Sequence, residues 1–157
     1  MAGARKGPLR AAGGELGEVL VRHFLLSKDV NVHRVGQENF PFDLIVPAPD
    51  GKIFKKKAVI QVKTETTVKK LTNKYYFYPS KFGIQGIEDF LKEHGYEHYE
   101  VWIALVWIRW VGNELRFHSC LFPSNILTAG DFLPSKRGLY FWKAWNKAPI
   151  RLKSGKP

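Results

Sequence analysis

The feature that most constrains the fold is an apolar run near the middle of the chain. The pattern of residues 99–111 predicts one long strand that is apolar on both faces in its middle, and such strands lie at the centre of a sheet. A Gly-Asn pair at 112–113 predicts a tight turn, and residues 114–122 return as the hairpin partner. Because Arg109 interrupts the apolar segment 101–108, that segment is too short to cross a bilayer. We therefore expect a fold built around a central sheet.

Shorter segments predict the elements around that strand. A Gly-Gly pair at 13–14 opens a helix that runs to about Lys28. Strands are predicted at 30–35, 42–46, 58–62, 75–78 and 138–142, and further helices at 84–94 and 123–129. This order of helix, three strands, helix and two long strands indicates an α/β fold with a mixed central sheet flanked by helices.

Length and composition limit the possibilities further. With 157 residues, of which 45% are apolar, we expect a single domain spanning 1–157 with a real hydrophobic core. Residues 1–12 are small and basic and are expected to be flexible, and a basic tail covers about 146–157. No long apolar stretch follows the basic N-terminus, which argues against a signal peptide. Cys120 is the only cysteine, which excludes an intramolecular disulfide and favours a reducing, cytoplasmic location.

The charge indicates a polyanionic partner. Lys and Arg number 25 against 14 Asp and Glu, so the formal net charge is +11. Such a charge favours nucleic acid over the alternatives, which are an anionic membrane surface and solubility alone. The lysines predicted to contact DNA are Lys69, Lys70, Lys74, Lys143 and Lys147. Trp142 and Trp145 lie beside the basic tail; they could stack on bases, although core packing is the preferred interpretation.

A carboxylate, an amide and a lysine indicate phosphodiester chemistry. Asp43 opens one predicted strand, while Gln61 and Lys63 lie two residues apart on another. Side chains alternate along a strand, so residues 61 and 63 point to the same side. Upstream, the predicted helix carries Glu15 and Glu18 in its first turns. Magnesium prefers oxygen ligands, and an attacked phosphate needs positive charge nearby, so this set suits metal-dependent cleavage of a nucleic acid.

These residues, in this order, resemble the PD-(D/E)XK nuclease superfamily, and the resemblance covers about Gly14 to Lys63. Gly-Glu-Leu-Gly-Glu at 14–18 is similar to the first-helix acid of that family. Pro-Phe-Asp at 41–43 is similar to its PD element, with the proline displaced by one position, and Ile-Gln-Val-Lys at 60–63 is similar to its (D/E)XK element in a glutamine variant. Holliday junction resolvase-like proteins, Mrr-like nucleases and intron-encoded homing endonucleases of this fold use similar layouts.

The resemblance implies a restriction-endonuclease-like fold and a hydrolase that cuts DNA with Mg²⁺, for which Mn²⁺ substitutes. The catalytic residues that it implies are Glu18, Asp43, Gln61 and Lys63. The implied metal ligands are Asp43, the Gln61 amide oxygen, the Val62 carbonyl and Glu18, with Glu15 as the alternate. Lys63 would hold or deprotonate the attacking water and stabilise charge on the phosphate. Because Gln61 replaces the commoner acid, metal binding is expected to be weaker before the DNA phosphate arrives.

Each of these residues also has a purely structural explanation. Asp43 could be a loop acid, Lys63 could end a strand in water, and helix acids are favoured by the helix dipole in any first turn. Two rival functions therefore stay open: a catalytically inactive DNA-binding module of the same fold, and a basic RNA-binding protein without a nuclease site. For the nuclease, a homodimer is expected, with a tetramer as the alternative, because one small domain holds one site and cutting both strands needs two.

Overall fold

The computed structural model describes residues 2–35, 39–66, 76–77, 81–135 and 138–154, with the backbone alone described for 2–11, 76, 81 and 82. Three α-helices lie in these residues: α1 (Ala2–Ser27), α2 (Lys81–Glu93) and α3 (Phe141–Lys147). The strands are β1 (His33–Arg34), β2 (Leu44–Val46), β3 (Ala58–Thr66), β4 (Tyr76–Phe77), β5 (Glu100–Val111), β6 (Glu114–Pro123), β7 (Leu139–Tyr140) and β8 (Ile150–Lys153). Two short 3₁₀ helices cover Ser124–Ile126 and Ala129–Asp131. Within this described part, no helix is long and apolar enough to cross a bilayer.

Six of the strands form one mixed sheet in the order β1-β2-β3-β5-β6-β8, and β4 pairs with β7 in a separate two-stranded sheet. Only β3 and β5 are parallel, and the crossover between them contains α2. The other neighbours in the large sheet are antiparallel. The predicted α/β class with a mixed central sheet is confirmed.

Helices cover both faces of the sheet. On one face, Val21 and Leu25 of α1 pack with Leu44, Ile60 and Ala104. The opposite face has its own buried cluster, in which α2 and α3 meet the odd-numbered residues of β3 and β5. Its members include Val59, Ile87, Leu91, Ile103, Leu105, Phe141 and Ala144. Residues 101–108 are all buried, because β5 is covered on both faces and lies between β3 and β6. The prediction that this run forms a central strand is confirmed.

The first helix and the third strand extend beyond their predicted bounds. Helix α1 begins at Ala2 rather than at Gly13, so its predicted start was wrong. Ala, Leu, Arg and Lys have high helix propensity, and their sum outweighs the interspersed glycines. Strand β3 continues past Val62 to Thr66, because the long neighbouring strand β5 supplies pairing partners as far as Ile108.

The C-terminal segment also differs from the prediction. The strand predicted at 138–142 ends at Tyr140, and α3 follows because Phe141, Ala144 and Ala148 recur at helical spacing and are buried. Part of the basic tail, which carried no strand prediction, forms β8 on the edge of β6. Its half-buried Ile150 and Leu152 alternate with exposed basic residues.

Candidate active site

The approach of α1 to β3 sets the position of the helix acid. A Cβ atom added at Gly17 would overlap the Thr64 side chain, and one added at Gly13 would overlap that of Thr66. Gly14, by contrast, faces open space. Glycine at 17 therefore allows the helix backbone to lie directly against β3. The next residue, Glu18, is half-buried as a result of this close contact.

Asp43 lies where β2 and β3 separate. Their pairing runs from Val46 opposite Ala58 to Leu44 opposite Ile60. Beyond that pair, the Asp43 N–H donates to the Ile60 carbonyl at 2.9 Å, and the Val62 N–H donates to Asp43 Oδ2 at 2.7 Å. A side-chain carboxylate thus takes the place of the next backbone acceptor of the ladder. The N–H and C=O of a strand residue point to the same edge, so the Val62 carbonyl also faces the Asp43 side.

Gln61 is held with its carbonyl oxygen unsatisfied. Its Nε2 donates a hydrogen bond of 3.2 Å to the Pro41 carbonyl, and this bond fixes which end of the amide is which. The other end, Oε1, is buried and has no hydrogen-bond partner among the residues that the structure describes. A buried acceptor without a partner is rare in folded proteins and is a candidate ligand atom for a cation.

Lys63 shares the sheet face of Gln61 and lies near Asp43. Gln61 pairs with Ile103 and Lys63 with Leu105, and both partners belong to the buried cluster on the α2 side of the sheet. The Asp43 pKa is raised by burial, against which the Val62 hydrogen bond and then the charge of Lys63 lower it. Lys63 is half-buried, so its ammonium is partly shielded from water.

Glu18 is the helix acid that interacts with Asp43. Burial raises the Glu18 pKa first, and the negative charge of Asp43 raises it further. Arg34 opposes both effects, since its Nε lies 3.5 Å from Glu18 Oε1. Glu15 is exposed and has only a small influence on Glu18, so the geometry favours Glu18 over its alternate.

Arg34 is the residue of this site that the sequence did not indicate. It lies on β1 opposite Leu44 of β2, one position from Asp43. Its charge lowers the pKa of both Glu18 and Asp43. No local motif marks Arg34, because its place depends on the pairing of two short strands.

The candidate metal ligands are all oxygen atoms. Two of them belong to carboxylates, Glu18 and Asp43, whose negative charges repel each other. Two carboxylates with raised pKa values lie near each other, so a bound cation would relieve both their burial and their repulsion. The oxygen donors are Glu18, Asp43, Gln61 Oε1 and the Val62 carbonyl, a set that suits Mg²⁺ or Mn²⁺ and not the softer metals. In the described ranges, no group of three or more His, Cys, Asp and Glu side chains forms a metal cluster. The donor set has only two acidic members, Glu18 and Asp43, because position 61 is a glutamine, and its oxygen atoms fit a hard divalent cation.

Two of the lysines predicted to contact DNA, Lys143 and Lys147, belong to the described residues. Lys69, Lys70 and Lys74 fall outside the described residues. Lys143 donates to the Gly130 carbonyl at 2.7 Å, and Lys147 forms an ion pair of 2.6 Å with the buried Asp131. The charge of Lys147 is therefore largely compensated within the protein. Trp142 and Trp145 are half-buried and pack against the hydrophobic core of the α2 side.

Comparison with known proteins adds no relative. No protein-family model matches the chain, and neither a curated protein nor a solved structure matches it significantly.

Proposed function

We propose that this protein is a metal-dependent endodeoxyribonuclease with a restriction-endonuclease-like fold and a PD-(D/E)XK site of the glutamine variant. The observation that carries the proposal is the hydrogen bond from the Val62 N–H to Asp43 Oδ2. In support of the proposal, this bond joins the carboxylate to the residue of β3 that lies between Gln61 and Lys63, the two residues that the resemblance implicates, and the charge of the same carboxylate raises the Glu18 pKa. Three separate segments of the chain thus contribute to one small region.

The residues that would hold a divalent cation are Asp43, Gln61 through Oε1, the Val62 carbonyl and Glu18. When bound, Mg²⁺ polarises a phosphoryl oxygen and makes water a stronger nucleophile at neutral pH. The unsatisfied Gln61 Oε1 and the raised carboxylate pKa values support such a site.

The protein's own side chains would orient the metal ligands and stabilise the charge that develops on the phosphate. The oxygen of a water molecule attacks phosphorus as the water gives up a proton, one P–O ester bond breaks, and the leaving oxygen takes up one proton, so protons balance. Lys63, whose charge acts on Asp43, would stabilise through its ammonium the negative charge that develops on the phosphate oxygens. The Val62 N–H fixes the Asp43 carboxylate, and the Pro41 carbonyl fixes the Gln61 amide, so both groups are oriented before substrate binds.

DNA is the proposed substrate because of the net charge of +11, which favours phosphate contacts. The homodimer expected for cleavage of both strands stays a prediction. Arg34 favours one alternative function, a DNA-binding module without catalysis, because its ion pair already neutralises part of the Glu18 charge.

Incubation with supercoiled plasmid, with and without Mg²⁺, separates these functions. We expect nicked or linear products only with Mg²⁺, and loss of cleavage in Lys63→Ala. Arg22→Ala, which removes an exposed cation from α1, is the matched control and should cleave like the wild type. Binding of DNA without cleavage in the wild-type protein would identify the inactive module instead.

A further inference from the structure

A second concave region lies on the α2 side of the sheet, at the far end of β5 and β6. It is an open pocket of about 650 Å³ whose wall includes Trp107, Arg109, Arg116, His118 and Lys153. A volume of this size suits a small organic ligand. None of these residues takes part in the site formed by Glu18, Asp43, Gln61 and Lys63.

The strand register relates this pocket to the candidate active site. Lys63 pairs with Leu105, and the next row along the same face begins two residues further on. That row consists of Glu65, Trp107, His118 and Lys153. Trp107 lies on the strand next to that of Lys63 and two residues beyond its pairing partner Leu105, so the two Cα atoms are about 8 Å apart. The pocket and Lys63 thus share one sheet face at a separation that neighbouring nucleotides of a single strand can span.

The pocket combines aromatic rings with cations. The Arg109 guanidinium lies 5.6 Å from the centre of the Trp107 ring. Arg116 is paired with Glu114 at 3.2 Å, whereas neither Arg109 nor Lys153 has an ion-pair partner in the described part of the chain. Glu114 also lines the pocket but is paired with Arg116, so Arg109 and Lys153 leave an excess of positive charge that would attract an anionic group.

The aromatic part of the wall centres on His118. Its ring lies 5.4 Å from both Trp107 and Trp145, measured between ring centres, and it is half-buried, whereas Trp107 is buried. Burial, with the charges of Lys153 and Arg109, lowers the His118 pKa, so its imidazole is neutral at pH 7. A neutral aromatic ring that is partly exposed beside two cations suits a planar ligand that carries an anionic group.

We propose that this pocket binds one unpaired nucleotide of a single DNA strand, with its base against the half-buried His118 ring at the edge of Trp107 and its phosphate between Arg109 and Lys153. Aromatic stacking and unpaired cations together are the combination by which proteins bind single-stranded nucleic acid. The proposal deepens the proposed nuclease function, since the nucleotide would flank the phosphate at Lys63. It predicts a preference for substrates with unpaired nucleotides beside the cleaved bond.

Binding of a fluorescent oligothymidylate of about six nucleotides, measured by anisotropy in EDTA, tests the proposal. An abasic oligonucleotide of the same length is the second probe. We expect the wild type to bind the thymidylate at least about fivefold more tightly than the abasic strand, since stacking on one base has an effect of this order. Arg109→Ala and Lys153→Ala should each lose about fivefold or more in thymidylate affinity. Arg22→Ala, an equal loss of charge on the opposite side of the sheet, should lose less than twofold.

Equal affinity for the two probes would overturn the proposal, because the pocket would then recognise phosphate alone. A loss in Arg22→Ala as large as that in Arg109→Ala would overturn it as well, because binding would reflect net charge. Arg109→Gln, which removes the charge but keeps the side chain as far as Cδ and a polar end group, distinguishes loss of the cation from loss of folding.

The Trp107 indole offers a measurement on the unmodified protein. Of the five tryptophan indole N–H signals in a nitrogen–proton spectrum, the one missing in Trp107→Phe belongs to Trp107. It should shift when the thymidylate is added, and an unchanged signal at saturating ligand would refute the proposed base position. Asp43→Asn separates the two proposals, since it should bind the oligonucleotide normally while cleaving no plasmid. Absence of cleavage by the wild type would refute the nuclease function alone.

Discussion

Replacing Asp43 by Asn should stabilise the protein while abolishing cleavage. Burial raises the pKa of Asp43 despite the nearby Val62 N–H, Lys63 and Arg34, so its negative charge is held at a cost in folding free energy. Asn can still accept the Val62 hydrogen bond through Oδ1, and it removes the repulsion with Glu18. The substitution therefore keeps the geometry and removes the charge.

The magnitude follows from the same contacts. Charge interactions of partly exposed groups typically contribute up to about 1 kcal/mol, and Asp43 is partly exposed, so we expect a gain in folding free energy of up to about 1 kcal/mol. For a domain of this size that is a rise in Tm of about 2–4 °C. Asp43→Ala removes the acceptor as well and leaves the Val62 N–H unsatisfied, which costs about 1–3 kcal/mol. Ala should therefore be less stable than Asn by about 2 kcal/mol.

Urea denaturation in EDTA at pH 7 measures both variants, and unchanged m-values would show that the unfolded states are comparable. A group with a raised folded-state pKa favours folding at low pH and loses that effect as pH rises through the raised value. The advantage of Asn over Asp should accordingly be largest at neutral pH and vanish below the ordinary Asp value of 3.8. If Asn and Ala destabilise equally, Lys63 and Arg34 compensate the Asp43 charge fully, and the site is an ion-pair network instead of a cation site.

Three further predictions concern the same region. Gly17→Ala should destabilise the fold by about 1–3 kcal/mol and reduce cleavage, because the added methyl group meets Thr64 and displaces Glu18. Gly14→Ala faces open space and should stabilise the fold by about 0.5–1 kcal/mol. Thermal unfolding and plasmid cleavage of both variants test this prediction, and equal behaviour of the two contradicts it. Because the pKa values of Glu18 and Asp43 are raised, calorimetric affinity for Mn²⁺ should fall with decreasing pH at a midpoint above 4.5, the ordinary Glu value, and a midpoint below 3.8 would be inconsistent with the site. Gln61→Glu should tighten Mn²⁺ binding by adding a carboxylate to the site, and an unchanged affinity would mean that residue 61 does not contact the ion.

Part of this structure could be predicted because it depends on local patterns. The apolar run 101–108 indicated a buried strand, and the alternation of strand side chains indicated that Gln61 and Lys63 share a face. The interaction of Asp43 with Glu18 was expected only through the family resemblance, since nothing local joins a helix residue to a strand end. The periodicity of side chains is therefore sufficient to predict which residues share a strand face. It does not predict which distant segments of the chain come into contact.

The remaining features arise from tertiary contacts. Arg34 reaches Glu18 because β1 pairs with β2, and neither strand is long enough to predict the register. The nucleotide pocket assembles Trp107, His118 and Lys153 from three strands, of which β8 was not predicted at all. Sequence alternation alone would have placed Trp107 and Arg109 on one face, but not the partners that close the pocket.

The segment before β2 orients two groups of the candidate site. Pro41 has no N–H and cannot donate to a strand ladder, so the chain is free to leave β3 at this point. Its carbonyl accepts a hydrogen bond from the Gln61 amide, and Phe42 is buried against Phe40 and Phe90 on the α2 side. With Phe42 anchored in the core, the Asp43 carboxylate meets the Val62 N–H. One short segment therefore ends the pairing of β2 with β3 and orients both a carboxylate and an amide. In the proposed nuclease site, this is how a proline one position earlier than in the PD element would still serve to position Asp43.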